Sequence, residues 1–213
     1  MGHERHTRER LVVFGAGGHA KVLIEAALTR SPATEVIVID DAEDARERSV
    51  LGIRVLSGRG ELARLERAPV ALGIGDNRAR AELLSWLRRN GHPIAAVIHP
   101  RALVAPSVRV GDGVFVSAGA IVIAEASIGD AAIINTGASV DHDCVVGEAA
   151  HIAPGAHLCG NVRIGARTLV GVGSSIRPGV SVCDDVVLGA GSVVVRDIVE
   201  PGTFVGNPVK RLR

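Results

Sequence analysis

The sequence predicts a two-part chain, an α/β domain with a parallel sheet followed by a parallel β-helix. Three observations carry this. An unbroken six-residue aliphatic period runs from Val104 to Val194, a strand, glycine turn, helix and strand follow one another over residues 11–41, and aromatic residues are nearly absent.

Stepping by six from Val104 through Val110, Val116 and Val122 to Val182, Leu188 and Val194 meets sixteen aliphatic residues in succession. Four residues after each of the first fifteen stands a small or compact residue, from Val108, Val114 and Ala120 to Val186 and Ser192. A period of six fits neither the helix nor the flat strand, so the chain turns at a fixed interval and forms a solenoid. Each hexad is then one short strand and a corner, with aliphatics stacked inward and the small residue filling the tapered space beside them. Gly follows the aliphatic at 111, 129, 147, 165, 171 and 189, where the corner is expected to need backbone angles closed to other residues. With only Phe14, Trp86, Phe115 and Phe204 as aromatics, the core must be Val, Ile, Leu and Ala.

In the first half, residues 11–14 read as a buried strand, Gly15 to Lys21 as a turn into a helix reaching Arg30, and residues 36–39 as a second strand ending at Asp40 and Asp41. Val22, Leu23, Ala26 and Ala27 are expected on the apolar side of that helix. A strand over 69–73, a helix over 77–90 closed by Gly91, and a last strand over 93–98 complete a Rossmann-like half. The expected organisation is an α/β domain over 8–98, the β-helix over 99–199 and a tail over 200–213. Gly15-x-Gly17-x-x-Ala20 between strand and helix matches the dinucleotide fingerprint, because glycines let the backbone approach a phosphate at a helix N-terminus. About 90 residues make one mononucleotide half, which suits a nucleoside diphosphate better than NAD.

Charge is balanced: 15 basic and 13 acidic residues stand in 1–98, against 9 and 10 in 99–213. Neither half carries the basic excess that nucleic acid or an anionic membrane demands. Three cysteines make no disulfide framework, the first ten residues are charged, and no run of about 18 apolar residues occurs, so a soluble cytoplasmic protein is expected.

One stretch departs from plain hexad filling, Asn135 to Cys144. His142 falls on a corner between Asp141 and Asp143 and points away from the aliphatic core, which makes it a candidate general base. A neighbouring carboxylate orients such a ring and stabilises the imidazolium formed on proton abstraction. Cys144 fills a small-residue core position and is no nucleophile, and His157 shares the hexad phase of His151. The terminal Val209-Lys210-Arg211-Leu212-Arg213 is either a phosphate contact or a solvated tail.

The combination of Gly17-Gly18-His19-Ala20-Lys21, Asp40-Asp41, Gly73-x-Gly75-Asp76-Asn77, His99-Pro100, Asn135-Thr136, Asp141-His142-Asp143-Cys144 and Gly206-Asn207-Pro208 resembles the hexapeptide-repeat acetyltransferases of nucleotide-linked amino sugars or sialic acid. The resemblance spans Leu11 to Arg211. It implies a left-handed β-helix of triangular section, three hexads per coil, assembled as a homotrimer with acetyl-CoA in clefts between neighbours. It also implies His142 as base, Asp143 as its support, and Gly17, Gly18, His19 and Lys21 with Asp40 and Asp41 around the nucleotide. Asn135 is implied near the sugar, and His151, Gly160, Val172 and Ala190 near the thioester cofactor. The expected reaction moves an acetyl group from acetyl-CoA to the amine of a nucleotide-linked 4-amino sugar, with no metal. Its rivals are O-acetylation of sialic acid, a non-catalytic nucleotide-sensing scaffold, and a metal enzyme that needs His142, His151 and His157 to converge.

Overall fold

The computed structural model describes residues 9–65 and 67–212; the charged residues 1–8, with the first residue of the expected 8–98 domain, and Arg213 at the tail lie outside the described residues. In the first half, β1 (Arg10–Phe14), β2 (Glu35–Asp40), β3 (Ser49–Val50), β4 (Ile53–Ser57) and β5 (Val70–Leu72) form one sheet in the order β3-β4-β2-β1-β5. β1 lies parallel between β2 and β5, and β4 runs parallel to β2. Because side chains alternate along a strand, Leu11 and Val13 face one layer while Val12 and Phe14 face the other. Helix α1 (Gly18–Arg30) covers the first layer through Ala20, Leu23, Ile24, Ala26 and Ala27. Val22, expected on that side, is 41% exposed, since it stands across the helix from the Ala20, Leu23, Ala27 stripe. Helix α2 (Asn77–Arg89), capped by the Asp76 side chain on the Ala79 N–H, covers the second layer through Leu83, Leu84 and Leu87.

Two elements differ from the sequence expectation. The β3–β4 hairpin closes through Leu51 and Gly52, both at positive φ, a two-residue turn that usually advertises itself as Asn-Gly or Asp-Gly and here does not. The strand expected over 93–98 divides: Ile94 bridges Val70 in parallel at the edge of the first sheet, while Val97–Ile98 pairs with Phe115–Val116 and opens the solenoid.

From Val97 onward a two-residue strand recurs every six residues, and each pairs in parallel with the strand 18 residues on. Three strands therefore make one coil, and the stacked coils make a three-faced, left-handed prism. Face I holds Phe115–Val116, Ile133–Ile134, His151–Ile152, Leu169–Val170 and Val186–Leu188; face II holds Ile121–Val122, Ser139–Val140, His157–Leu158 and Ser175–Ile176; face III holds Ser127–Ile128, Val145–Val146, Arg163–Ile164 and Ser181–Val182. The predicted aliphatic column is buried from Val116 to Val194, and the small residues from Val114 to Ser192 are buried beside it. Val104 and Val110 are only half-buried, at the open end of the stack.

The glycines that follow the aliphatics serve a purpose other than the one expected. Their φ is not positive; the left-handed residue of each corner comes two positions later, at Gly113, Gly119, Gly137, Gly155, Gly173, Gly179 and Gly191, and at Glu125, Ala131, Asp143, Ala149, Asn161, Arg167 and Asp185. What excludes a side chain at Gly147 is the next coil: a Cβ there would meet Ala166 N at 2.6 Å and Gly165 C at 2.7 Å. At the other end, the tail is tethered, although Lys210, Arg211 and Leu212 stay exposed. Gly202–Val205 continues face I and pairs with Lys210–Arg211, Phe204 and Val209 pack on the end of the core, and Arg211 bonds Glu200 at 2.9 Å.

The α/β domain sits on face I and on the corner between faces III and I. Phe115 and Ile133, outward residues of face I, are buried against the α1 layer, and Ala131 and Ala149 of the corner are buried against the α2 layer. Helix α2 lies along that corner: Arg88 bonds Asp112 and Asp130, Arg80 the carbonyls of Ala131 and Ala149, and Asn77 the carbonyl of Arg167. Thirteen residues of helix span about 20 Å, close to four coil spacings of about 4.8 Å.

Two histidines are trapped in this contact. His19 on α1 meets the Phe115 ring edge-on at 5.2 Å, and burial, then the charges of Arg80 and His151, push its imidazole down to about 3. Burial and Arg80 push His151 down to about 4. Both rings are neutral when folded and protonate near 6.5 in the unfolded chain, so the unfolded state binds more protons below that pH. Stability is therefore complete above pH 6.5 and falls toward pH 4, by up to about 1.4 kcal/mol per pH unit for each histidine. Urea unfolding at pH 7, 6 and 5 should show this slope reduced in His151→Gln; equal slopes would mean that His151 is not held neutral. In the same assay Gly147→Ala should cost several times more than Gly137→Ala, whose Cβ meets nothing and which bears only a left-handed penalty of roughly 1–2 kcal/mol.

Candidate active site

His142 projects from the corner between faces II and III. Buried Val140 and Cys144 anchor the corner on either side. The coil before it takes the Asp143 N–H on the Ala124 carbonyl at 3.0 Å, and the coil after it donates the Asn161 N–H to the His142 carbonyl at 2.9 Å. Asp143 is the left-handed residue of this corner at φ 60°, a conformation Asp adopts more readily than most side chains. That turn swings its carboxylate back to His142 Nδ1 at 2.8 Å. A carboxylate only accepts, so Nδ1 carries the proton and Nε2 presents a lone pair. Eighteen residues on, Gly160 lies directly under the ring: a Cβ there would fall on His142 Nε2 and Cε1. Cys144 is fully buried, donates to the Cys159 carbonyl at 3.1 Å and has its thiol pushed up to about 11 by burial, so it is packing and not a nucleophile.

A second group lies on face I and the corner between faces I and II. Asn135 Oδ1 accepts the Thr136 N–H at 2.8 Å, which turns its amide NH₂ toward His151 Nε2 at 2.9 Å. His151 Nε2 is then the acceptor and Nδ1 the protonated nitrogen. Thr136, Pro154, Val172 and Ala190 stack down this corner beside left-handed Gly137, Gly155, Gly173 and Gly191, where a Cβ would meet nothing. Val172 is 53% exposed and Ala190 is exposed, so the strip is smooth, open and long enough for an extended ligand.

The third group is the glycine turn of the α/β domain. Gly15, at φ +113°, crosses so close to Gly73 that a Cβ would stand 2.7 Å from the Gly73 carbonyl oxygen. Gly17 and Gly18 face open space, and α1 begins there with no side-chain cap, leaving its first N–H groups free for an anion. Asp40 is less available than expected. Its two oxygens accept the N–H of Ala16 at 2.7 Å and of Ala42 at 2.8 Å, so it orders the turn. Asp41 pairs with Arg59 at 2.6 Å, Lys21 is exposed on α1, and His19 is turned inward onto the solenoid.

These groups do not converge within one chain. The glycine turn, Asn135, His151, Val172 and Ala190 gather around face I and its edge with face II, while His142, Asp143 and Gly160 occupy the prism edge opposite face I. A cavity of about 230 Å³ opens beside the first set, lined by Gly75, Asp76, Asn77, Arg78, His151 and Arg167 among others. His142, His151 and His157 stand on a corner, on face I and on face II respectively. His157 is exposed and bonds Ser139 at 2.9 Å. Among the described residues no three His, Cys, Asp or Glu side chains form a metal-binding group, and no helix is long and apolar enough to cross a membrane. Arg80 escaped the sequence reading although a signal existed: it continues the buried stripe of Leu83, Leu84 and Leu87, where a charge is out of place.

The same architecture recurs in known proteins. The PglD N-terminal domain model matches residues 10–87, and the hexapeptide repeat of succinyl-transferase matches residues 161–196. The acetyltransferase domain of PglB from Neisseria gonorrhoeae is 38% identical, with a TM-score of 0.90, covering 96% of this chain and 100% of that one, and has also been solved with acetyl coenzyme A. Perosamine N-acetyltransferase from Caulobacter crescentus, in a histidine-to-asparagine variant complexed with CoA and GDP-perosamine, is 42% identical, with a TM-score of 0.89 over 95% of this chain and 96% of that one. WeeI from Acinetobacter baumannii is 26% identical, with a TM-score of 0.85 over 95% and 99%. With its glycine turn, its eighteen-residue coils and relatives aligned from end to end, this chain belongs to the family of acetyl-CoA-dependent sugar acetyltransferases that join a PglD-type N-terminal domain to a left-handed β-helix of hexapeptide repeats.

Proposed function

We propose that the chain transfers the acetyl group of acetyl-CoA to the amine of a nucleotide-linked 4-amino sugar, with His142 as general base. The observation that carries this is the His142 ring, fixed by Asp143 through Nδ1 and presenting Nε2 over a residue with no side chain. The amine loses its proton to Nε2 as its nitrogen bonds to the acetyl carbonyl carbon, and the N–H of Gly160 faces the oxyanion. The C–S bond then breaks, the amide forms, and the departing thiolate takes the proton back from the imidazole. Asp143 holds the ring and stabilises its charged form in between.

The free N–H groups at Gly17 and Gly18 bind the diphosphate, with Lys21 and His19 beside them, and Asp40 and Asp41 order the turn. The cofactor lies along the strip of Val172 and Ala190. Since the base and this strip occupy different edges of the prism, the reacting groups meet only when a second copy brings its base to the first copy's strip. Three copies closing head to tail give a homotrimer with three equivalent sites. Such an enzyme works in the cytoplasm, where both substrates are made.

His142→Ala should lower turnover about 10²–10⁴-fold, read by thiol release, while calorimetry shows both substrates still bound. Wild-type turnover in that variant would remove His142 from the mechanism. Gly160→Ala displaces the same ring without touching the core and should reproduce the loss with an unchanged melting temperature. Co-expression of His142→Ala with Asn135→Ala tests the shared site: each alone is impaired, and mixed trimers regain turnover. Failure of mixed trimers to regain any would place the whole site within one chain.

A further inference from the structure

Among the described residues Arg80 is the largest fully buried side chain, and none of its hydrogen bonds goes to a carboxylate. All five of its N–H groups are used. Nε donates to the Ala131 carbonyl at 2.7 Å, Nη1 to those of Ile74 and Gly75 at 3.1 and 2.9 Å, and Nη2 to Asn77 Oδ1 and the Ala149 carbonyl, both at 2.8 Å. The acceptors belong to two bodies. Ala131 and Ala149 are the left-handed residues of one corner on successive coils, and Ile74 and Gly75 form the loop after β5. That loop is in turn pressed on the nucleotide turn: a Cβ on Gly15 would lie 3.0 Å from Ile74 Cγ1, and one on Gly75 would lie 3.8 Å from His19 Cβ.

We propose that Arg80 is a positioning residue, whose guanidinium locks the loop after β5, and through it the Gly15–His19 turn, onto the coil that carries His151 and the coil before it. The nucleotide sugar anchored on that turn is thereby delivered in one register to Asn135 and His151, and the cation adds to the burial that holds the imidazoles of His151 and His19 neutral. This rests on the nucleotide-sugar reading above. A planar fork is suited to the task because five donors of fixed geometry read carbonyls from two directions at once, which an ammonium cannot do. Its charge is depressed toward neutrality by burial, to about 10, but remains at working pH. His151 faces Arg80 from α2 and Asn135 from its own corner, and the cavity beside it is lined by Asp76, Arg78, Arg167 and Asp185. His19 faces Arg80, His151 and the Phe115 ring.

The test compares Arg80→Lys and Arg80→Gln in the full chain, using kinetics and the imidazole NMR titrations of His151 and His19. Arg80→Lys keeps the charge and loses the fork. Its kcat/KM for the nucleotide sugar should fall about a hundredfold while KM for acetyl-CoA stays within about twofold, since loss of register acts on the anchored substrate alone. Its His151 should still titrate near pH 4. Arg80→Gln should show the same kinetic loss and, in addition, titration of both histidines at higher pH. A folded Arg80→Lys with wild-type kcat/KM, or a folded Arg80→Gln with unmoved titrations, overturns the proposal, because a merely structural arginine lowers the melting temperature without either change. Should neither variant fold, Asn77→Ala, which removes one acceptor of the fork, decides by the same kinetic split: a fall in kcat/KM for the nucleotide sugar with KM for acetyl-CoA unmoved supports the assignment, and wild-type kcat/KM overturns it. If the wild-type enzyme transfers acetyl to no nucleotide amino sugar, the functional reading fails while the titrations still judge Arg80.

Discussion

Everything in this molecule is keyed to the hydrogen-bonded stacking of one coil on the next, which repeats the backbone every 18 residues. A chain that closes a turn in three hexads stacks residue i on residue i+18 from the Val97 strand to the Val194 strand, and only the closing contacts of Val182 and Val186–Leu188 with the tail step by 16. The base therefore meets Gly160, eighteen residues after His142, and the face that buries Ile133 carries His151 one coil on. The carbonyls that Arg80 grips, at Ala131 and Ala149, are one repeat apart for the same reason. Such a lattice has little freedom to adjust, so each function is met by choosing which residue stands at a given lattice point.

The two halves divide the chemistry. The α/β domain contributes an uncapped helix start at Gly17 and Gly18, and the prism contributes a ring held by its neighbour's carboxylate. Joining them is an energetic problem, because a buried interface with polar backbone corners leaves carbonyls without water. Arg80 answers it by satisfying four carbonyls with one cation, and the salt bridges of Arg88 and Arg78 at the rim add register more than stability.

The separation of His142 from the glycine turn follows from prism geometry. A domain that covers face I leaves the opposite edge bare, so the base is solvent-facing in a single chain and 53% of its side-chain surface is exposed.

The hexad period by itself determined the solenoid, its inward column and the outward placement of His142, because a residue on a stacked corner has nowhere else to point. The strand and glycine turn likewise determined the first βαβ unit. Their signals are local, each residue constrained by its own neighbours in the chain. Tertiary structure alone decided that the corner glycines answer to the backbone of the next coil and not to their own φ, that Asp40 is occupied by the turn it was expected to leave free, and that the strand at Val97 belongs to the prism. It alone made Arg80 a bridge where the chain shows one more arginine on an arginine-rich helix. In each case a deciding partner lies 18 or more residues away, so the contact is not set by a residue's own neighbours in the chain.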